Sequence, residues 1–562
     1  MPLNSYEFML AFLPIAFIGY SLLHRYSSHR ASLVWLLMTS VCFYMASGIP
    51  GLMLTMLSIG WDYVAARAFL SLPPERTRAR KVIIYAAISA DILFLCYFKY
   101  FSSLLAVVTP ALFSHLVFSS SYLPLGLSFL TFQKIGFLSD LHSGQIKEVR
   151  LFDFVLFGLF FPKAMAGPII RYNEFTPQLR DSRQSSRYTD MAVGTCLLAI
   201  GLFKETVMAS VAEQFVSPAF APSFPQDQID FLPAWFGALG YTFQIYFEFS
   251  GYSDMALGAA RLFGIQLPMN FNSPLKSSSL VEFWSRWHIT LTRFLTWQLY
   301  IPIVRYLTRM RINAGYSVLK GAKSGISAIA VLIGVPTLFT MTLSGLWHGS
   351  GWPYILWGFV HGFCLSINQG WRMLKGRLFP NGSAYKRSSV AVGRILTMMT
   401  VIVAMVVFRA DNLSSALAVL KGMAGLNGFV PEYVRILMRN DDNSNWGYII
   451  FDSSWYACVC LTVMVLVTTL APNSLELLRP LHPALDFPPE SDGVKGSNFE
   501  SVSARTSPGS YKNKWERIFP PIFSTSRNRI PITLPAAVLY AAFIVLGLSA
   551  IERAGVFIYG QF

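Results

Sequence analysis

Residues 341–362 read MTLSGLWHGSGWPYILWGFVHG. The stretch carries no acid, no Lys and no Arg, yet it holds two histidines, His348 and His361. Gly349 and Gly351 suit a break at a helix C-terminus, and Pro353 suits the first turn of a following helix. The pattern predicts helix, stop and helix, with His348 at the break. At membrane depth, irregular backbone survives only where protein buries it or where it lines a water-filled cavity. An ionisable side chain there is costly and usually functional.

The surrounding chain makes this a membrane segment. Of 562 residues, 54% are hydrophobic and 13% charged, and the mean hydropathy is +0.47. A soluble domain carries about a quarter charged residues. Apolar runs long enough to cross a bilayer recur at about 7–22, 31–48, 50–70, 82–108, 151–166, 190–216, 232–263, 326–347, 353–371, 390–408, 449–471 and 531–550. They predict roughly 11 to 13 membrane elements, some half-length or re-entrant, and an all-α polytopic fold. The first run has neither the preceding basic residue nor the small-x-small site of a signal peptide, so it is expected to stay. Basic residues follow it in HRYSSHR and cluster at 73–81, 305–323, 372–379 and 511–529. These clusters are assigned to the cytoplasm, which leaves the N-terminus extracytoplasmic.

Topology and anionic lipid account for the net charge of +16, and no nucleic-acid module is present. The six cysteines lie in or beside apolar runs, without a disulfide framework or zinc spacing, and read as small buried hydrophobes. No metal set is expected. Residues 472–530 turn to Pro, Ser, Asn and charge, and read as a disordered cytoplasmic loop. It separates a membrane core over 1–471 from a last helix and C-terminus over 531–562.

Three stretches carry chemistry. Residues 241–274 place Glu248, Asp254 and Arg261 in or near a span, where buried polar pairs are the first reading and a proton path the second. Residues 280–303 put Trp284, Trp287, His288, Leu291 and Leu295 on one face of a helix, with Arg286 and Arg293 elsewhere. That element is expected to be interfacial or re-entrant. The third is the opening stretch. A neutral imidazole at a polar break can accept a hydroxyl proton as general base. The residues alone leave a purely helix-bridging role for His348 equally open. His361, inside a continuous helix, reads as a packing residue, and Ser344 reads as back-bonded to its own helix.

FWSRWHITLTRFL (283–295) together with LSGLWHGSGWPYILWGFVHG (343–362) resembles the paired motifs of membrane-bound O-acyltransferases. The bacterial branch that acetylates exported polysaccharides such as alginate is the best match. LPLGLSFLTFQKIGFLSDLHSG (123–144), FFPKAMAGPIIRYNEF (160–175), residues 245–274 and LKGMAGLNG (420–428) are similar to that branch as well. The resemblance implies a multi-helix fold around a tunnel. It implies that His348 is catalytic and that His288 is a second motif residue near the donor path. Trp284, Arg286, Trp287, Trp347, Gly349 and Trp352 would be motif residues shaping the tunnel, with Glu248 and Asp254 as polar support. The implied donor is a cytoplasmic thioester, either acetyl-coenzyme A or an acyl-carrier protein, with no bound cofactor. The implied acceptor is an extracytoplasmic hydroxyl on a polysaccharide. An esterase-like SGNH transferase is an implied partner, and the bacterial inner membrane the implied location.

The chain departs from its relatives after His288. They continue with Arg-Asp-Tyr and a Gly-Gly turn, whereas this chain has TWQLYIPIVRYLTRMR (296–311). Acylation of a lipid, lipooligosaccharide or teichoic-acid-like acceptor is the nearest alternative. A transporter is the alternative from another class, disfavoured by the lack of an inverted repeat.

Overall fold

The computed structural model describes residues 2–108, 124–180, 187–220, 229–319, 324–349, 351–378, 385–428, 446–486 and 534–551. Within them every regular element is helical. Four helices open the chain, α1 (Leu13–Tyr26), α2 (His29–Met45), α3 (Ile49–Ser71) and α4 (Thr77–Val108), followed after the 109–123 segment by α5 (Leu127–His142). Further on come α6 (Arg187–Phe203), α7 (Phe231–Leu262), α8 (Leu280–Trp284), α9 (Ile289–Leu295) and α10 (Ile301–Asn313). The last part used below comprises α11 (Val335–His348), α12 (Trp352–Leu378) and α13 (Tyr385–Arg409). Six helical stretches among the described residues are long and apolar enough to cross a bilayer, and three shorter apolar helices accompany them. The chain is an all-α, multi-pass membrane protein.

The centre of the molecule is α7, in which every side chain from Gly240 to Arg261 is buried. A helix surrounded on all sides packs as a core pillar. It lies antiparallel against α6 through two reciprocal glycine contacts. A Cβ on Gly201 would sit 2.6 Å from the Gly251 carbonyl, and one on Gly258 would sit 2.7 Å from that of Gly194. The glycines are seven residues apart on both helices, two turns along one face. Two ion pairs flank the seam, Lys204–Asp254 at 2.6 Å and Arg261–Asp190 at 2.7 Å. The carboxyl groups of Asp254 and Arg261's partner therefore serve helix pairing, as the buried-pair reading expects.

A second polar knot ties α3, α4 and α5. Lys134 reaches Asp62 at 3.3 Å and also bonds Asp91, which accepts from Trp61 Nε1 at 2.9 Å. All three charged side chains are buried. Sequence reading passed over them because each is a single charge inside a long apolar run.

Two expectations change. The polar loop starts later than residue 472, because Ser474–Leu477 is helical and Asn473 caps it with a capping box. Asn473 also donates to Asn272 and Ser273, which pins the segment to the core, and the rest of the expected loop lies outside the described residues. Of the cysteines, Cys42, Cys96 and Cys458 are exposed rather than buried, and all six are free thiols. A helix crossing lipid is apolar on its outer face as well, so an apolar run does not say which side a small residue takes.

Candidate active site

The break foreseen around His348 is present. Helix α11 ends at His348, Gly349 is extended, and α12 begins at Trp352 with Pro353 in its first turn. The two helices touch through their backbones: a Cβ on Gly345 would lie 2.2 Å from the Tyr354 carbonyl, and one on Gly358 2.3 Å from that of Met341. This contact fixes where the α11 end presents its side chains. His348 and Trp347 are buried, and the His348 ring centre lies 4.6 Å from Trp347, 5.2 Å from Trp357 and 5.2 Å from Phe408 of α13. Ser344 Oγ has no hydrogen-bond partner among the described residues, so it is not back-bonded as expected.

Trp352 corrects one expectation. It is 71% exposed and faces away from the site. As the first residue of α12, next to Pro353, it occupies the outer end of the helix, where an indole suits the bilayer interface. Trp357 takes the inner position instead. It bridges His348 to His361 at 4.9 Å, and Trp284 covers the other side of His361 at 5.2 Å. Both His361 nitrogens lack a hydrogen-bond partner among the described residues, so its contacts are aromatic packing.

The 280–303 element is not one amphipathic helix. It breaks into α8 and α9 at Ser285–His288, with His288 at φ 44° and ψ 53°. A non-glycine residue in the left-handed region costs about 1–3 kcal/mol and is held only where its surroundings over-determine it. Asn270 does this. Its carbonyl accepts from Ile289 N at 2.9 Å, and its Oδ1 lies 2.9 Å from His288 Nδ1 and 3.0 Å from Thr290 Oγ1. Its Nδ2 donates to Ser253 Oγ of α7 at 3.2 Å. All five residues assigned to one face are nevertheless buried. Trp287 stacks on Phe283 at 5.6 Å, whereas Arg286 turns outward to Glu282 at 2.8 Å.

Rings join the two motif histidines. From His348 the path runs to Trp347, then to Phe129 at 5.8 Å, and from Phe129 to His288 at 6.1 Å. Phe249 closes on His288 from α7 at 4.7 Å. Trp347 also meets Phe132 at 5.1 Å, and Phe132 stacks on Phe294 at 4.5 Å. Those two phenylalanines line a cavity of about 20 Å³, together with Gln133, Thr290, Arg171 and Arg293. That volume admits about one water. Arg293 holds Glu174 through two hydrogen bonds and reaches Asp486 at 3.2 Å.

On the opposite side, the Lys99 ammonium sits 5.0 Å from the Trp347 ring, within electrostatic reach of His348. Lys99 Nζ has no hydrogen-bond partner among the described residues. Glu248 and Asp254 belong to the α6–α7 seam: Asp254 pairs with Lys204, and Glu248 lies in electrostatic reach of Glu205. They do not join the histidine cluster. No group of three or more potential metal ligands occurs among the described residues.

Sequence reading missed Trp357, Phe408, Asn270 and Lys99. The one available signal was Asn270 within LPMNFNSP, part of a stretch already noted for its likeness.

Known proteins share this arrangement's sequence. Residues 94–319 match the family described as MBOAT, membrane-bound O-acyltransferase. The chain is 32% identical over 512 residues to the peptidoglycan O-acetyltransferase of Helicobacter pylori, covering 85% of this chain and 90% of that protein. This chain belongs to the membrane-bound O-acyltransferase family. A second member, the probable alginate O-acetylase AlgI of Pseudomonas aeruginosa, is 31% identical over 423 residues, which is 74% of this chain and 73% of AlgI. The teichoic acid D-alanyltransferase of Streptococcus thermophilus is 30% identical over 249 residues, 44% of this chain and 57% of the relative. As a membrane-bound O-acyltransferase, the chain is an acyl-transferring enzyme of the polysaccharide-modifying branch.

Proposed function

We propose that this enzyme moves an acetyl group from a cytoplasmic thioester to a hydroxyl of an extracytoplasmic polysaccharide, with His348 as general base. The observation that carries the reading is a buried histidine at a helix end, linked through the packed rings of Trp347 and Phe132 to a small cavity that Gln133, Arg171 and Arg293 help to line. The names of the peptidoglycan and alginate relatives support an acetyl group and a polymeric acceptor. The teichoic acid relative favours a second reading, a teichoic-acid-like acceptor.

Sidedness supports a donor route from the cytoplasm. His29, after the basic HRYSSHR turn begins, bonds the Leu179 carbonyl at 2.8 Å, and Arg80 of the PPERTRARK cluster stacks over Phe69 beside His142. Asp140, Arg171, Glu174 and Arg293 form the ion cluster next to these turns. The positive-inside tendency puts them on the cytoplasmic side of an inner membrane, with the N-terminus outside. His348 is at the other end of α11, near the end of α4, where Tyr100 donates to the Leu346 carbonyl at 2.8 Å.

In the reaction, an acceptor hydroxyl oxygen attacks the thioester carbonyl carbon while His348 Nε2 or Nδ1 takes its proton. Collapse of the tetrahedral adduct breaks the carbon–sulfur bond, and the thiolate takes the proton from the imidazolium. Coenzyme A or a carrier protein would supply the thioester, no cofactor stays bound, and a secreted esterase-like transferase could pass the acetyl group on to the polymer.

The test is consumption of acetyl thioester by purified protein in nanodiscs. His348→Ala should lose about 10²–10⁴-fold in turnover, the share a positioned base supplies. His361→Ala should keep most of it. Equal turnover in wild type and His348→Ala would remove His348 from the chemistry.

A further inference from the structure

We infer that Asn270 is a positioning residue that locks His288 as the Nδ1–H tautomer, leaving Nε2 as a fixed acceptor for an N–H on the arm of the thioester donor. The identity of that ligand rests on the acyl-transfer reading; the tautomer does not.

The hydrogen-bond directions decide the tautomer. Thr290 N, which can only donate, points at one atom of the Asn270 side-chain amide from 3.4 Å. That atom is therefore Oδ1, and Nδ2 is the atom directed at Ser253. Thr290 Oγ1 already accepts from Ile169 N at 3.1 Å, so its single proton goes to Asn270 Oδ1 at 3.0 Å. An atom that only accepts must meet a donor at His288 Nδ1, 2.9 Å away. In a neutral imidazole the other nitrogen then carries a lone pair.

That lone pair has nothing to accept. His288 is 1% exposed, and Nε2 has no hydrogen-bond partner among the described residues. An unsatisfied buried acceptor costs about 1–3 kcal/mol and calls for an explanation. Here it coincides with a strained left-handed residue that Asn270, Thr290 and Ser253 hold in place by a closed set of hydrogen bonds. A site so constrained is prepared for a ligand.

The ligand follows from position. Thr290, two residues on, lines the cavity that Arg171 and Arg293 flank, and Phe129 separates His288 from Trp347 and His348. His288 does not itself line the cavity, and the donor arm is taken to run from Thr290 along this turn toward His348. A thioester group has no donor of its own. The pantetheine arm shared by coenzyme A and carrier proteins carries an amide N–H one ethylene unit from the sulfur. Holding that N–H at Nε2 would set how deep the carbonyl reaches toward His348.

Two measurements test this on the full chain in nanodiscs. In ¹⁵N-histidine spectra, the signals lost in His288→Phe should show a protonated Nδ1 and an unprotonated Nε2 near neutral pH. Asn270→Ala should give a tautomer mixture and Asn270→Asp should restore the wild-type form. The reverse tautomer or an imidazolium in the wild type would overturn the positioning role, whatever the activity.

The second compares turnover of S-acetyl-N-acetylcysteamine with its analogue in which an ester oxygen replaces the N–H. Wild type should favour the amide about tenfold in kcat/KM, the value of roughly one hydrogen bond. The preference should vanish in Asn270→Ala, mostly through KM, weaken in Thr290→Val and return in Asn270→Asp. An unchanged preference in Asn270→Ala would overturn the donor contact. Acetyl-coenzyme A and acetylated carrier protein, run in parallel, assign the source of the arm. If no thioester is consumed by wild type, the proposed function fails and the ligand assignment with it, while the spectra still decide the tautomer.

Discussion

At Lys134 one ammonium faces the carboxyl groups of both Asp62 and Asp91, and all three side chains are buried. Removing one partner from a buried ion set leaves charge uncompensated, which costs about 3–5 kcal/mol. Lys134→Met should therefore lower thermal stability in detergent sharply. Adding Asp62→Asn and Asp91→Asn to it should recover most of the loss, and a triple variant as unstable as the single one would contradict the pairing account. The same scale shows what sequence can and cannot supply. His348, His288 and Trp347 were legible because they sit in motifs with a local signature, a glycine break or a dense aromatic run. Lys134 and its acids are far apart in sequence, so only the fold reveals that their charges meet. Trp357 sits four residues before His361 in a stretch already full of aromatics, and nothing local separates it from exposed Trp352.

At the level of elements, the break between α11 and α12 was readable because glycine and proline mark helix ends directly. The break between α8 and α9 was not. Its residues have good helical spacing, and the left-handed turn at His288 is imposed by Asn270 from 18 residues away. Tertiary hydrogen bonds overrode local periodicity. The α11–α12 seam gives a direct test. A methyl at Gly358 would collide with the Met341 carbonyl, so Gly358→Ala should force the helices apart, costing about 1–3 kcal/mol. Turnover should fall more than binding of a non-hydrolysable thioester analogue, because the end of α11 carrying His348 moves. A variant with unchanged melting temperature would show that the seam can relax.

Over the whole molecule, hydropathy gave the class and the motifs gave the family, while sidedness rests on the distribution of basic residues. Cysteine labelling in a background lacking the six native cysteines checks it. Ser27→Cys, in the exposed turn between α1 and α2, should react with a membrane-impermeant reagent only after the bilayer is opened. Ala46→Cys, exposed at the far end of α2, should react in intact cells. The reverse pattern would invert the donor and acceptor sides assigned above.

The knot of Asp62, Asp91 and Lys134 also bears on how the protein is made. The ribosome delivers both acids before the lysine, so for a time α3 and α4 offer the lipid two carboxylates without a counter-charge. A lone Asp near the bilayer centre opposes insertion by about 2.5–3.5 kcal/mol on the translocon scale. Helices α3 and α4 should then linger beside the insertion machinery until α5 emerges, and the three should partition into lipid as a unit. Photocrosslinkers placed in α3 and α4 should stay joined to the insertion machinery in nascent chains stopped before Leu127, and should lose that contact in chains long enough to expose Lys134; loss of contact before Lys134 emerges would contradict the account.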